Sequence, residues 1–244
     1  SLGAGAAGAL NMWYESDLDA LMTRTCLRPI PIGKIKKRQA LIFGVILSII
    51  SILLLYISSN IISSVLLFAT ICFYYFVYTV WLKRKTPQNI VIGGAAGALP
   101  PVIGWTITTG SLSIEPLVLF LLIFLWTPSH FWALSLYKSD DYKRANIPML
   151  PLISGIDKTK LSILVYSILM LVPILLIYYL NLGSLLSTSI SLMLTIYYVY
   201  LCFVLTISKT QKRINKIAKK IFTYSILYLF LLFLLLLINT ILVI

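Results

Sequence analysis

Long apolar runs separated by short polar intervals dominate the chain. Seven runs lie at about 40–58, 61–82, 89–109, 115–137, 160–180, 185–207 and 221–243. A helix needs ~20 apolar residues to cross a bilayer core, and a membrane strand only about half that. The runs therefore predict helices. In lipid every backbone polar group must be satisfied within the span or its closed sheet, so the expected class is an all-α polytopic membrane protein. The opening segment, Ser1 to Tyr14, is rich in Gly and Ala and begins without Met. As a helix it reaches only about 21 Å. It reads as the C-terminal part of a membrane helix in a partial, N-terminally truncated sequence. It has no basic n-region and so does not read as a signal peptide.

Composition supports lipid as the solvent. Of 244 residues, 60% are hydrophobic and 11% charged, against about 25% charged in soluble domains. The basic residues fall in alternate intervals: 20–39, 83–85, 138–160 and 208–220. The intervals near 58–60, 110–114 and 181–184 carry no Lys or Arg. This alternation puts every basic loop on one side, which the positive-inside rule makes cytoplasmic, and the C-terminus on the other. The net charge of +13 is then a topology signal that also favours anionic lipid heads, and it calls for no nucleic acid. Cys26, Cys72 and Cys202 show no disulfide or zinc spacing.

The seven acidic residues carry more information. Glu15, Asp17 and Asp19 form one cluster, Asp140 and Asp141 another, and Glu115 and Asp157 stand alone. Asn11, Glu15 and Asp19 are spaced i, i+4, i+8, which stacks them on one helix face. With no countercharge between them, a divalent cation is the natural partner; Mg²⁺ takes one or two carboxylates together with waters and substrate phosphates. Asp17 should face elsewhere. Of the adjacent pair, Asp141 is the favoured ligand and Asp140 a cap or solvent-facing residue. Two carboxylate patches flanked by Lys and Arg describe a diphosphate site. Either cluster alone also fits a charged helix terminus at the interface.

Asn11 to Ile30 resembles the first aspartate-rich motif of the UbiA-type intramembrane prenyltransferases. The run from Asp19 through Met22, Arg24, Thr25 and Arg28 to Pro29 is similar to that of the heme-farnesylating branch. So are Trp81 to Asn89, Gly93 to Trp105, Trp126 to Leu134, and Asp141-Tyr142 followed by Pro148 to Pro151. The resemblance is dense over residues 1 to about 155. It departs at Glu15, where many relatives carry Asp, at Met12, where others carry a second acid, and at the second motif, which lacks a clear D-x-x-x-D.

The resemblance implies a UbiA-type bundle of nine transmembrane helices, of which this chain lacks the first and the start of the second, and a single prenyltransferase domain over residues 1–244. The implied reaction joins farnesyl diphosphate, heme b and water to give heme o and diphosphate, for use in terminal oxidases, with Mg²⁺ as cofactor. Catalytic and metal-binding roles fall to Asn11, Glu15, Asp19 and Asp141. Substrate-binding roles fall to Arg24, Arg28, Lys83, Lys143, His130 and Tyr142. Implied partners are membrane lipids and a heme A synthase or terminal oxidase assembly, in a bacterial inner membrane. An apolar groove would hold the prenyl tail. His130, the single histidine, reads either as a packed, hydrogen-bonded residue or as a heme contact, through iron or a propionate. Gly93 to Gly104 reads as small residues for close helix packing rather than a phosphate loop, and Pro100-Pro101 should break their helix. Prenylation of a quinone precursor and membrane transport are the alternatives. A transporter should show mid-membrane charges and internal repeats, which are not evident.

Overall fold

A computed structural model describes residues 1–242. Among them the order is α1 (Leu2–Tyr14), α2 (Ser16–Leu21), α3 (Lys37–Ser58), α4 (Ile61–Leu82), α5 (Asn89–Thr109), α6 (Ile114–Tyr137), α7 (Ser139–Arg144), α8 (Leu150–Ser154), α9 (Ile156–Tyr179), α10 (Leu185–Thr206) and α11 (Gln211–Leu242). There is no strand among the described residues. Seven of these helices have the length and apolar composition to cross a bilayer. Their outward faces are rich in exposed large apolar residues, such as Ile46, Phe68, Leu175 and Phe230, which only a lipid surround makes inexpensive.

Six of the seven spans begin and end within about four residues of the apolar runs. The seventh does not. Gln211–Leu242 is one helix of 32 residues, about 48 Å long. The basic stretch expected as a loop at 208–220 therefore lies mostly on its first turns. Ile214, Ala218 and Ile221 are buried there while Lys212, Arg213, Lys216, Lys219 and Lys220 are exposed. An amphipathic face extends the helix beyond the purely apolar run. Residue 243, the last of the expected span, is outside the described residues.

The chain divides into two compact units. The first comprises Ser1–Leu112 with Asp140–Met149, and the second Ser113–Ser139 with the chain from Leu150 onward.

In the first unit, α1 packs on α3 and α4. Gly44 lets α3 approach Leu10; a Cβ there would come within 2.8 Å of the Leu10 side chain. Asn60 caps α4 by accepting from the Ser63 N–H (2.9 Å) and donates to the Thr106 carbonyl (2.7 Å), tying the α3–α4 turn to the end of α5. The second half of α4, Phe73–Leu82, is π-helical. Thr79 Oγ1 reaches back five residues to the Tyr74 carbonyl (2.9 Å). α5 is interrupted at Leu99, just before Pro100-Pro101, where the missing proline N–H groups cost the backbone ladder nothing.

The Gly-rich run has two uses. Gly93 admits the Tyr78 ring, which a Cβ would meet at 2.1 Å, whereas Gly97 and Gly104 meet nothing within 4 Å. They front a cavity of about 640 Å³ whose other lining includes Leu54, Leu67, Ile71 and Tyr74.

In the second unit α6, α9, α10 and α11 pack around a seam of hydroxyls and aromatic rings, with the buried Lys160 at one end donating to the Ser208 carbonyl (3.0 Å) and pairing with Asp157. Ser129 Oγ and Tyr198 OH lie 2.9 Å apart, as do Thr195 Oγ1 and Tyr228 OH. The two tyrosine rings stack with centroids 5.4 Å apart. Each of these four hydroxyls finds a partner, which removes most of its desolvation cost. α6 runs through Pro128 without interruption.

Candidate active site

The first aspartate-rich motif lies where α1 gives way to α2. The expected uninterrupted helix is broken at Glu15, whose backbone (φ −96°, ψ 12°) sits in the sparsely populated bridge region. Hydrogen bonds from the Glu15 N–H to the Asn11 carbonyl (2.9 Å) and from the Asp19 N–H to the Glu15 carbonyl (2.8 Å) carry the chain across.

Glu15 is almost wholly buried, at 1% exposure. Asn11 Nδ2 donates to Glu15 Oε2 (2.8 Å) and to Thr79 Oγ1 (3.1 Å), and Lys83 Nζ pairs with Glu15 Oε2. Asn11–Thr79 and Glu15–Lys83 are both separated by 68 residues. The pairs are thus successive rungs between two segments running in the same direction. The π-helical turn of α4 presents Thr79 and Lys83 to the motif, as such turns often do at functional sites. Asn89 on α5 is fully buried; its Nδ2 donates to the Thr86 carbonyl (2.6 Å) and its Oδ1 has no partner.

Asp19 is buried and accepts from Arg28 Nη1 on both oxygens (2.9 and 3.0 Å). Asp17 faces away, as its spacing requires. It pairs with Arg84 at the surface (3.1 Å), and this guanidinium holds its carboxyl below the usual range against a partial burial that pushes the other way.

The second motif docks on the segment after α2. Thr23 Oγ1 lies 2.8 Å from both oxygens of Asp141, and Arg144 Nη2 pairs with the same carboxylate. Arg24 Nη2 reaches Tyr142 OH at 3.5 Å and lies over its ring, 5.8 Å from the centroid. Burial opposes ionisation of Asp141, but the Thr23 hydrogen bond and the Arg144 charge outweigh it and hold its carboxyl below the ordinary value.

One expectation needs correcting. The carboxylates do not lack countercharges: Lys83, Arg28 and Arg144 supply one each to Glu15, Asp19 and Asp141. Burying an unpaired carboxylate is too costly to persist. No group of three or more His, Cys, Asp or Glu positioned for a metal occurs among the described residues. Lys143 is exposed and makes no ion pair among the described residues, whereas its neighbour Arg144 takes Asp141. Thr23, Thr79 and Arg144 were not singled out from the sequence. Thr23 lies inside the D-x-x-M-x-R-T run and only its contact distinguishes it, whereas the i,i+3 spacing of Arg144 from Asp141 was a local signal that could have found it.

Even so, the donors fit Mg²⁺. Glu15 Oε1 is buried without a hydrogen-bond partner, and Asn11 spends its amide nitrogen on both its bonds, leaving its oxygen for a metal. The donor set is all oxygen, as that ion prefers.

His130 lies in the second unit. Its ring is stacked between Trp126 and Phe222, with centroids 4.4 and 4.5 Å away. Nδ1 is 2.6 Å from Ser225 Oγ, and that hydroxyl donates to the Phe222 carbonyl (2.6 Å). A serine oxygen whose proton goes to that carbonyl can accept from His130 Nδ1, and a neutral ring donating from Nδ1 keeps a lone pair on Nε2. Trp126, His130, Phe230 and Phe233 help line an apolar recess of about 470 Å³.

Residues 1–227 match the model of the UbiA prenyltransferase family, and the chain belongs to that family. It is 68% identical over 242 residues to the protoheme IX farnesyltransferase of Pelagibacter ubique, covering 99% of this chain and 80% of that protein. It is 50% identical to the protoheme IX farnesyltransferase of Parvibaculum lavamentivorans, covering 98% and 75%. Among solved structures it is similar to a digeranylgeranylglyceryl phosphate synthase (TM-score 0.73, 19% identity, 98% of this chain and 81% of that one). It is also similar to a UbiA homolog from Archaeoglobus fulgidus bound to DMAPP and Mg²⁺ (TM-score 0.66, 15% identity, 96% and 84%). At these identities the structural likeness concerns the fold.

Proposed function

We propose that the protein transfers a farnesyl group from farnesyl diphosphate to a vinyl group of heme b, with addition of water, giving heme o and diphosphate. The observation that carries this reading is the set of buried carboxylates, each beside a Lys or Arg, in a chain so similar to protoheme IX farnesyltransferases. The alternation of basic intervals favours an inner-membrane protein with this site at the cytoplasmic face and the C-terminus opposite. The whole chain is read as one prenyltransferase domain. Its product would pass to a heme A synthase or terminal oxidase.

Asn11, Glu15, Asp19 and Asp141 would hold Mg²⁺, which when bound stabilises negative charge on the leaving oxygens. Breaking the allylic C–O bond sends its electron pair to the diphosphate. Lys83, Arg28 and Arg24 would stabilise that charge as it develops. Thr23 keeps Asp141 in place. The vinyl π electrons then bond to the farnesyl carbon, water adds to the resulting cation, and a proton leaves to complete the hydroxyethyl product. The first cation must be kept from water. The 640 Å³ cavity beside Tyr74 has the lining for the apolar chain. His130, neutral and with a free Nε2, is read as the heme contact, and that lone pair suits iron better than a propionate.

The test supplies membranes containing the protein with heme b, farnesyl diphosphate and Mg²⁺ and analyses the pigments by mass. The expected product is heavier than heme b by a farnesyl group and one water. Failure of a folded protein to form it overturns the proposal, and prenylation of a quinone precursor instead would establish the alternative.

A further inference from the structure

Each carboxylate of the candidate site already holds a cation of the same chain. Glu15 Oε2 takes Lys83, Asp19 takes Arg28 and Asp141 takes Arg144. A divalent ion arriving alone meets carboxylates whose positive partners stand at contact distance and must displace them. A diphosphate arriving alone meets cations whose charge is engaged. A diphosphate that drew the cations away would strand buried carboxylates, and a metal that took Glu15 would leave Lys83, itself mostly buried, without its partner; both are costly.

Arriving together, the two ligands avoid that cost. The metal takes carboxylate oxygens and the freed cations turn to phosphate oxygens, so no charge is left unpaired. The groups involved have room to exchange. Glu15 Oε1 is buried and unpartnered while Oε2 is occupied. Arg28 spends only Nη1 on Asp19. Arg144 is 54% exposed and Lys83 20%.

We propose that Lys83 and Arg144 are exchangeable counter-ions that pass from Glu15 and Asp141 to the diphosphate, so that this site takes a divalent cation and a diphosphate only as a pair. Arg144 thereby becomes a diphosphate-binding residue. The inference rests on the reading of this site as a metal–diphosphate site. By linkage the coupling is reciprocal: each ligand raises the affinity of the other by the same factor.

The test measures protein-bound Mn²⁺ by ultrafiltration of the purified full chain, with and without saturating inorganic diphosphate. The expected result is at least about tenfold tighter Mn²⁺ retention when diphosphate is present. Lys83→Met and Arg144→Leu should each tighten Mn²⁺ retention without diphosphate and shrink the gain that diphosphate brings. Arg144 is half exposed, so its variant keeps the test decisive if Lys83→Met does not fold. Equal retention by the wild type in both conditions overturns the proposal. So does an Arg144→Leu protein whose diphosphate-free retention is unchanged or weaker. Retention of neither Mn²⁺ nor diphosphate in any combination overturns the site assignment itself.

Discussion

Around Glu15 the first unit buries carboxylates against cations, whereas around Ser129 and Ser225 the second unit buries hydroxyls against hydroxyls and aromatic rings. Around Ser129 and Ser225 the hydroxyls close on one another, although Trp132 Nε1 and Thr188 Oγ1 elsewhere in that unit lack partners. Ser129 meets Tyr198, Thr195 meets Tyr228, and Ser225 both accepts from His130 and donates to its own helix. Neutral pairs of this kind fix helix positions and have little to offer an ion. The first arrangement is unfinished, with Glu15 Oε1 and Asn89 Oδ1 lacking partners and each paired cation able to serve a different anion. An interior that binds charge keeps its ion pairs exchangeable, and one that only positions helices keeps its polar atoms paired with one another.

The largest test of this contrast removes charge from the first unit. Asp19→Asn or Asp141→Asn should lower the rate of heme o formation by about 10²–10³, while heme binding, followed by its Soret absorption, stays near wild type. If heme binding falls in parallel, the division of labour is wrong.

Next, Ser225→Ala should free the His130 ring and weaken heme affinity by about tenfold, with the KM for farnesyl diphosphate unchanged. A change confined to that KM would assign His130 to the other substrate.

Thr23→Val should cost about tenfold or less in rate, the scale of one lost hydrogen bond. It also has a pH signature. Asp141 titrates below its ordinary value, so its pairing stabilises the fold above that value and is lost as pH falls through the lowered one. Removing the Thr23 hydroxyl lets the carboxyl titrate higher, and the acidic limb of the pH–rate profile should move up. A profile with an unmoved limb would show that Thr23 does not hold that carboxylate.

The smallest effect is expected for Arg84→Ala. Its pair with Asp17 is solvent-exposed, so stability should change by no more than about 1 kcal/mol and activity by less than about twofold. A large loss of activity would bring Asp17 into the site.

The sequence by itself determined the seven membrane-length helices among the described residues, because a lipid solvent demands contiguous apolar runs of a set length and tolerates few exceptions. It also determined that Asn11 and Glu15 share a face, since their spacing is local and matches the helical period. It marked the diproline as an interruption for the same local reason. The extended first turns of α11 were missed because amphipathic burial of Ile214 and Ala218 depends on neighbours that a hydropathy run does not register. Only the tertiary structure decided which cation serves Glu15 and which hydroxyl serves Asp141. Glu15 meets Lys83 across 68 residues and Asp141 meets Thr23 across 118, separations over which no local period carries information. The choice of Arg144 over Lys143 for Asp141 follows the local i,i+3 spacing of one short helix, whereas the tertiary structure also decided that a π-helical turn aims Thr79 and Lys83 at the motif. Such choices follow from how packed backbones place charges in a poorly solvated interior, where a carboxylate is held by whichever cation the fold brings within reach.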